Sequence, residues 1–361
     1  MRPDRFLAAC RGEAVDATPV WLLRQAGRYL PQYRALRERH SLLEICRDPA
    51  LAAEATLQPL RLFDLDAAIV FADLLLPLVP MGARLRFEPG EGPVIGNPVR
   101  TPDDARALRP VDVRRDLDYV LRTVERVAAA LDLPVIGFAG APFTLASYLI
   151  EGGPSRTHAR TKTFLLRHPD AWDDLLARLA ELAGAFLRAQ VEAGARAVQL
   201  FDSWVGALSP DDYERRVLPH SRRAIALARA AGAPVLHFGT GTAGLLERMQ
   251  AAGADVLGLD WRVRLDEAWE RLGAGARVQG NLDPVALLGP RDEAVRRTRA
   301  ILEQAGGRAG HVFNLGHGIL PDTPIETVAA VVEAVHADRA AAPAGVVAGA
   351  QVRGVRGGGG G

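Results

Sequence analysis

The chain has 361 residues, 48% of them hydrophobic and 24% charged, and its 44 Lys plus Arg oppose 43 Asp plus Glu for a formal net charge of +1. This balance excludes a disordered chain, which would be less apolar and more one-sided in charge. It also speaks against a nucleic-acid partner, since binders that live on phosphate contacts carry a basic excess.

In chain order, a set of short apolar runs recurs, each ending in a glycine or a polar residue: PVWLLR (19–24), AAIVFAD (67–73), PVIGFAG (134–140), AVQLFDS (197–203), PVLHFG (234–239), VLGLD (256–260), RVQGN (277–281) and HVFNLGHG (311–318). Near-continuous hydrophobicity suits parallel strands buried on both faces. Helical patterns lie between them. Residues 171–194 place Leu175, Leu179, Leu182 and Phe186 at three- and four-residue steps, the period of a one-sided helix. Ser209-Pro210-Asp211-Asp212 and Thr323-Pro324-Ile325-Glu326 each read as a capping residue, a first-turn proline and an acidic third position. Gly194, Gly232 and Gly253 sit where helices should end before the next strand.

Eight strands alternating with helices predict an α/β fold, a single (β/α)8 barrel of the TIM type over residues 1–339. The competing architecture is a doubly wound open sheet. That fold normally carries a Gly-rich phosphate turn after an early strand, and GTGTAG (239–244) lacks the spacing and the lysine. Residues 82–102, rich in Gly and Pro, predict a hairpin excursion after the second strand. The Ala/Gly-rich segment 340–361 has no packing pattern and predicts a disordered tail.

A barrel of this kind places its chemistry at the C-terminal ends of the strands. In order, those ends deliver Arg24 with Gln25-Ala26-Gly27-Arg28, then Asp73, then Thr144, Tyr148 and Glu151, then Asp202-Ser203, His237, Asp260, Asn281 with Asp283, and Asn314 with His317. Residues 18–40 hold five arginines (24, 28, 34, 37 and 39) and one glutamate, a local charge of +4, so the rest of the chain sums to −3. Arginine presents a rigid fork that matches carboxylates and phosphates. Arg24 and Arg28, flanking a small Ala-Gly step, are the anion-binding candidates, while Arg34, Arg37 and Arg39 also fit a solvated helix face. Asp73 interrupts an apolar stretch, where a carboxylate needs hydrogen bonds or an opposite charge. His317 lies between two glycines, which allows close backbone approach. His237 reads as a core histidine, and Tyr148 opens a helix in either role.

Lys162 is the only lysine, leaving one candidate for Schiff-base chemistry. Two cysteines, Cys10 and Cys46, make neither a disulfide framework nor a zinc site. Residues 1–16 lack a secretory pattern, and Asp73 breaks the longest apolar run, Ala67 to Ala83. A reduced, cytoplasmic protein without a membrane partner is expected.

Several strings, PVWLLRQAGRYLPQYR (19–34), DAAIVFADLL (66–75), GFAGAPFTLASYLIEGG (137–153), QLFDSWVG (199–206), QGNLDP (279–284) and FNLGHGILPDTP (313–324), resemble uroporphyrinogen decarboxylase, in order, from about residue 3 to about residue 338. The resemblance implies a (β/α)8 barrel, usually a homodimer, that removes CO2 from the four acetate arms of uroporphyrinogen III without cofactor or metal, giving coproporphyrinogen III for haem and chlorophyll. The family's substrate-contacting positions match Arg24, Gln25, Ala26, Gly27, Arg28, Asp73, Tyr148, Ser203 and His317, and Arg37 matches an arginine near the site mouth. Asp73 and Arg24 are the catalytic candidates. Leu23 stands where the family commonly has methionine, a conservative departure. Two other readings differ in class. A zinc-dependent methyltransferase of the same fold would need a His-x-Cys motif and a later cysteine, where this chain has His237-Phe238-Gly239. A non-catalytic tetrapyrrole carrier would keep the arginines but need not keep Asp73.

Overall fold

The structure, a computed structural model, describes residues 4–88 and 92–338; the proposed tail, 340–361, lies outside the described residues. The strands are β1 (Ala68–Ile69), β2 (Leu85–Glu88), β3 (Gly92–Ile95), β4 (Val135–Gly140), β5 (Ala197–Asp202), β6 (Val235–Gly239), β7 (Val256–Gly258), β8 (Val278–Gln279) and β9 (His311–Val312). Seven of them form one curled parallel sheet in the order β1-β4-β5-β6-β7-β8-β9. Every residue of β4 and β6 is buried, the signature of strands covered on both faces and the reason their sequences do not alternate. Each parallel step is crossed by helix, as in Pro169–Glu192 between β4 and β5.

The segment ahead of β1 reaches both ends of that sheet. Val20 bridges Phe313 in parallel, the Phe313 N–H donates to the Pro19 carbonyl at 2.8 Å, and the Asp66 N–H donates to the Val20 carbonyl at 2.8 Å. Only this one residue of the expected strand 19–24 pairs. Side chains take over from the ladder: Asp66 Oδ2 accepts from Val20 N at 2.7 Å, Gln25 Oε1 from Leu22 N at 3.1 Å and Asn314 Oδ1 from Leu23 N at 2.8 Å. Inside the curl, Trp21 Nε1 donates to Gln279 Oε1 at 3.0 Å, and Gln279 Nε2 donates to Gln199 Oε1 at 3.1 Å, which ties β8 to β5 through buried side chains.

The helices lie outside. Pro169–Glu192 buries Leu175, Leu179, Leu182 and Phe186. Its Gln190 pairs with both backbone groups of Phe138, at 2.9 Å each, and this fit needs Gly137, because a Cβ there would lie 2.7 Å from Gln190 Oε1. Ser209 caps Pro210–Arg216 by accepting from Asp212 N at 3.1 Å. The parallel expectation at Thr323 fails. Pro324 occupies the N-cap of Ile325–Ala337, and the buried Thr323 hydroxyl makes no capping bond. One residue of offset is enough to aim that side chain inward. Residues 82–102 contain β2 and β3, which pair antiparallel from Leu85 opposite Ile95 to Glu88 opposite Gly92. Ile95 N and Val99 N donate to Gly152 and Leu149, tying this segment to the helix Pro142–Glu151.

Candidate active site

Arg24 follows the Val20 segment and has a left-handed backbone, φ 60°, which costs a non-glycine residue about 1–2 kcal/mol. Its neighbours hold it there. Leu23 is fixed on both backbone groups, by Asn314 Oδ1 and by the Ile319 N–H at 2.9 Å. Gly27 closes the turn, since a Cβ there would meet the Arg24 carbonyl at 3.1 Å. Gln25 is fully buried, its amide spent on Leu22 N and on the Ala67 carbonyl, so it shapes the turn from below while half-buried Ala26 and Gly27 form the upper surface. Arg28 is exposed and Arg37 half-buried. Arg37 donates to the His40 carbonyl at 2.8 Å, and Arg34 donates to the Arg28 and Tyr29 carbonyls. Among the described residues Arg24, Arg28 and Arg37 make no ion pair, whereas arginines such as Arg61, Arg271 and Arg296 elsewhere are matched to carboxylates.

Asp73 stands half-buried beyond β1, its Oδ1 accepting from Leu75 N at 2.9 Å. Burial pushes its carboxyl above the usual carboxylate range, opposed by the Leu75 N–H and then by the Arg24 charge. Tyr148, half-buried on the helix Pro142–Glu151, feels both groups: burial raises its phenol, Asp73 adds to the shift and Arg24 opposes it. Its ring stacks on Trp204 with centroids 3.8 Å apart. Ser203 precedes Trp204, and its carbonyl accepts from the Thr240 hydroxyl.

His317 sits between glycines that each meet a neighbour closely. A Cβ on Gly316 would lie 2.4 Å from Trp261 N, and one on Gly318 would lie 2.3 Å from Arg24 Cδ. Burial, then Arg24 and Arg262, drive the imidazole down to about 4, with Asp260 opposing. It is therefore neutral at pH 7 and offers an N–H donor.

Arg24 thus acts electrostatically on Asp73, Tyr148 and His317, which groups the four into one candidate site at the C-terminal ends of the strands. The other strand-end candidates lie beneath it or beside it as ties. Buried Asp202 accepts from Thr144 Oγ1 at 3.0 Å, and Thr144 Oγ1 accepts from Trp204 N at 3.4 Å. His237 is fully buried in β6. Asp260 holds the Gly241 N–H at 2.5 Å, so the GTGTAG loop spends a backbone donor on a carboxylate. Asn281 Nδ2 donates to the Asp260 and Val263 carbonyls, Asp283 caps a short helix, and Glu151 accepts from Thr161. Trp204 and Trp261 carry no titratable group, so neither stands out in the sequence as a strand-end candidate. Trp204 was visible only as part of QLFDSWVG.

Among the described residues no group of three or more His, Cys, Asp or Glu is disposed to hold a metal ion, and no helix is long and apolar enough to cross a membrane. The family model described as uroporphyrinogen decarboxylase (URO-D) matches residues 1–337. The uroporphyrinogen decarboxylase of Sorangium cellulosum is 57% identical over 335 residues, 92% of this chain and 96% of that protein. The one from Solibacter usitatus is 53% identical over 334 residues, again 92% and 96%. Among solved structures, a methyltransferase from Methanosarcina mazei superposes with a TM-score of 0.78 at 24% identity, covering 92% of this chain and 97% of that one; at that identity the likeness speaks for the fold alone. A family model over residues 1–337, with identity above one half over 92% of the chain, establishes that the chain belongs to the uroporphyrinogen decarboxylase family.

Proposed function

We propose that the protein decarboxylates the four acetate side chains of uroporphyrinogen III to methyls, yielding coproporphyrinogen III for haem and chlorophyll formation, and that it does so without a cofactor. The observation that carries the reading is charge placement. Three arginines without carboxylate partners among the described residues, Arg24, Arg28 and Arg37, come from one turn and the helix after it, and Arg24 acts electrostatically on Asp73. A tetrapyrrole with carboxylates around its rim supplies the missing anions. Its central pyrrole N–H groups supply the partner for a single carboxylate.

Each turnover needs an electron sink. A proton added to the pyrrole carbon beside the acetate makes that ring cationic. The bond to the carboxylate then breaks, CO2 leaves, and the electron pair neutralises the ring. A proton on the exocyclic carbon completes the methyl as the ring carbon gives its proton up, so one proton is consumed per acetate. Asp73, facing the pyrrole N–H groups, stabilises the cation through a fixed charge in a partly dry cup. Arg24 holds the reacting acetate and takes part in proton relay. Arg28, Arg37, Tyr148, Ser203 and neutral His317 hold other arms, with Gln25, Ala26 and Gly27 shaping the wall under the ring.

We read the sheet as a closed (β/α)8 barrel, the Pro19–Val20 segment being the eighth stave and β2–β3 an excursion after the second. The family likeness supports a homodimer in the cytoplasm. Anaerobic incubation with uroporphyrinogen III, followed by product separation, tests the activity: stepwise loss of acetates is expected, whereas tight binding with all acetates retained would make the protein a carrier. Zinc bound stoichiometrically and required for turnover would overturn the cofactor-free reading.

A further inference from the structure

The arginines assigned to substrate so far all come from one sector, residues 24–37. A ligand with carboxylates all round its rim needs cations on more than one side. The exit of β7 offers one. After Leu259 the chain runs through buried Asp260 to half-buried Trp261 and exposed Arg262. Arg262 Nη1 donates to Asp260 Oδ2 at 2.7 Å, and its backbone N–H donates to Asp260 Oδ1 at 3.0 Å. The guanidinium carbon lies 3.9 Å from the Trp261 ring centroid. Trp261 in turn stands edge-on to His317, centroids 6.3 Å apart, with Gly316 packed on its backbone. Arg262 therefore flanks His317 on the side of β7, while Arg24 flanks it from the turn after Val20.

From this arrangement we infer that Arg262 is a further carboxylate-binding residue of the cup, taking a rim carboxylate of the tetrapyrrole next to the arm held by His317. One Nη and one ring face fix the guanidinium before any ligand arrives, which lowers the ordering cost of binding. Among the described residues Nε and Nη2 have no hydrogen-bond partner, leaving one edge of the fork for a carboxylate. Asp260 offsets the Arg262 charge as its ion-pair partner, so what Arg262 offers a carboxylate is the hydrogen-bonding Nε–Nη2 edge. The influence of Arg262 on the His317 imidazole is the electrostatic counterpart of that closeness.

The inference rests on the decarboxylase reading, and the experiment separates the two. The parent protein, Arg262→Gln and Arg262→Lys are assayed anaerobically with uroporphyrinogen III across a range of NaCl. For Arg262→Gln, KM should rise about five- to tenfold, as expected for one charge-assisted contact, with kcat within about twofold. Its KM should also respond less to salt than that of the parent, because one screened attraction is gone. Arg262→Lys should recover part of the loss and the salt response. An unchanged KM in Arg262→Gln would overturn the inference alone. So would a raised KM with the parent's salt response and a lowered Tm, which marks a lost tie to Asp260. A parent protein that removes no acetates overturns the decarboxylase reading, and this inference with it.

Discussion

Gly318 lies directly under the Arg24 side chain, close enough that a Cβ on residue 318 would fall 2.3 Å from Arg24 Cδ and 2.7 Å from its Cγ. The glycine after His317 thus makes room for the arginine on the opposite side of the closing seam. Gly318→Ala should leave the fold intact, since the atoms it meets belong to a movable side chain, but push the guanidinium off its position. Misplacement of a reacting group by about 1 Å can cost on the order of a hundredfold. We expect kcat to fall ten- to a hundredfold by that estimate with Tm nearly unchanged. A parental kcat would show that Arg24 does not need this seat.

Asp73→Asn separates stability from catalysis. Burial pushes the carboxyl above its ordinary range, so the charged form is costlier in the folded protein than in the unfolded chain. The amide oxygen can still accept from Leu75 N. The variant should therefore melt at or above the parent Tm, bind product, and lose at least about a hundredfold in kcat, the scale of removing a preorganised electrostatic partner. Turnover near the parent rate would remove Asp73 as the cation stabiliser.

The legible parts of the fold were those whose signal is local burial. β4, β5 and β6 lie within the runs 134–140, 197–203 and 234–239 because both faces are covered. The run 19–24 misleads for a specific reason. Its apolar residues are buried, yet the Asp66, Gln25 and Asn314 side chains capture its backbone N–H groups, and no periodicity reveals such partners, two of which lie far away in sequence. The candidate site was legible where a charge interrupts apolar sequence, as at Asp73, or where charges cluster, as at residues 24–37. Trp261 and Arg262 were not, since neither an aromatic nor one more arginine stands out in a chain so rich in arginine. Only the fold brings them to His317.

Histidine titration should shape the acid side of the stability profile. His317 and fully buried His311 are both lowered to about 4, against about 6.5 in an unfolded chain. Above pH ~6.5 both states are neutral. As pH falls from there toward 4, the unfolded chain takes up protons first, so folding stability declines across that window. Denaturant midpoints at pH 7 and pH 5 should differ less for His317→Gln than for the parent. An unchanged difference would mean that His317 titrates normally in the folded protein.

Arg24→Lys tests whether the charge alone suffices. Lysine tolerates the same left-handed backbone no better and no worse than arginine, and its methylenes can still lie over Gly318, so the turn should persist. What it lacks is the planar fork. An ammonium is a point charge that cannot grip both oxygens of an acetate while holding its plane against the ring. If Arg24 orients the reacting arm, kcat/KM should drop by on the order of a hundredfold, the orientation scale. Product affinity should weaken far less, because the +1 charge remains to attract carboxylates. Single-turnover rates under anaerobic conditions, alongside product binding and Tm, make the comparison. Equal losses in rate and affinity would assign Arg24 to uniform binding, and unchanged kinetics would take it out of the site.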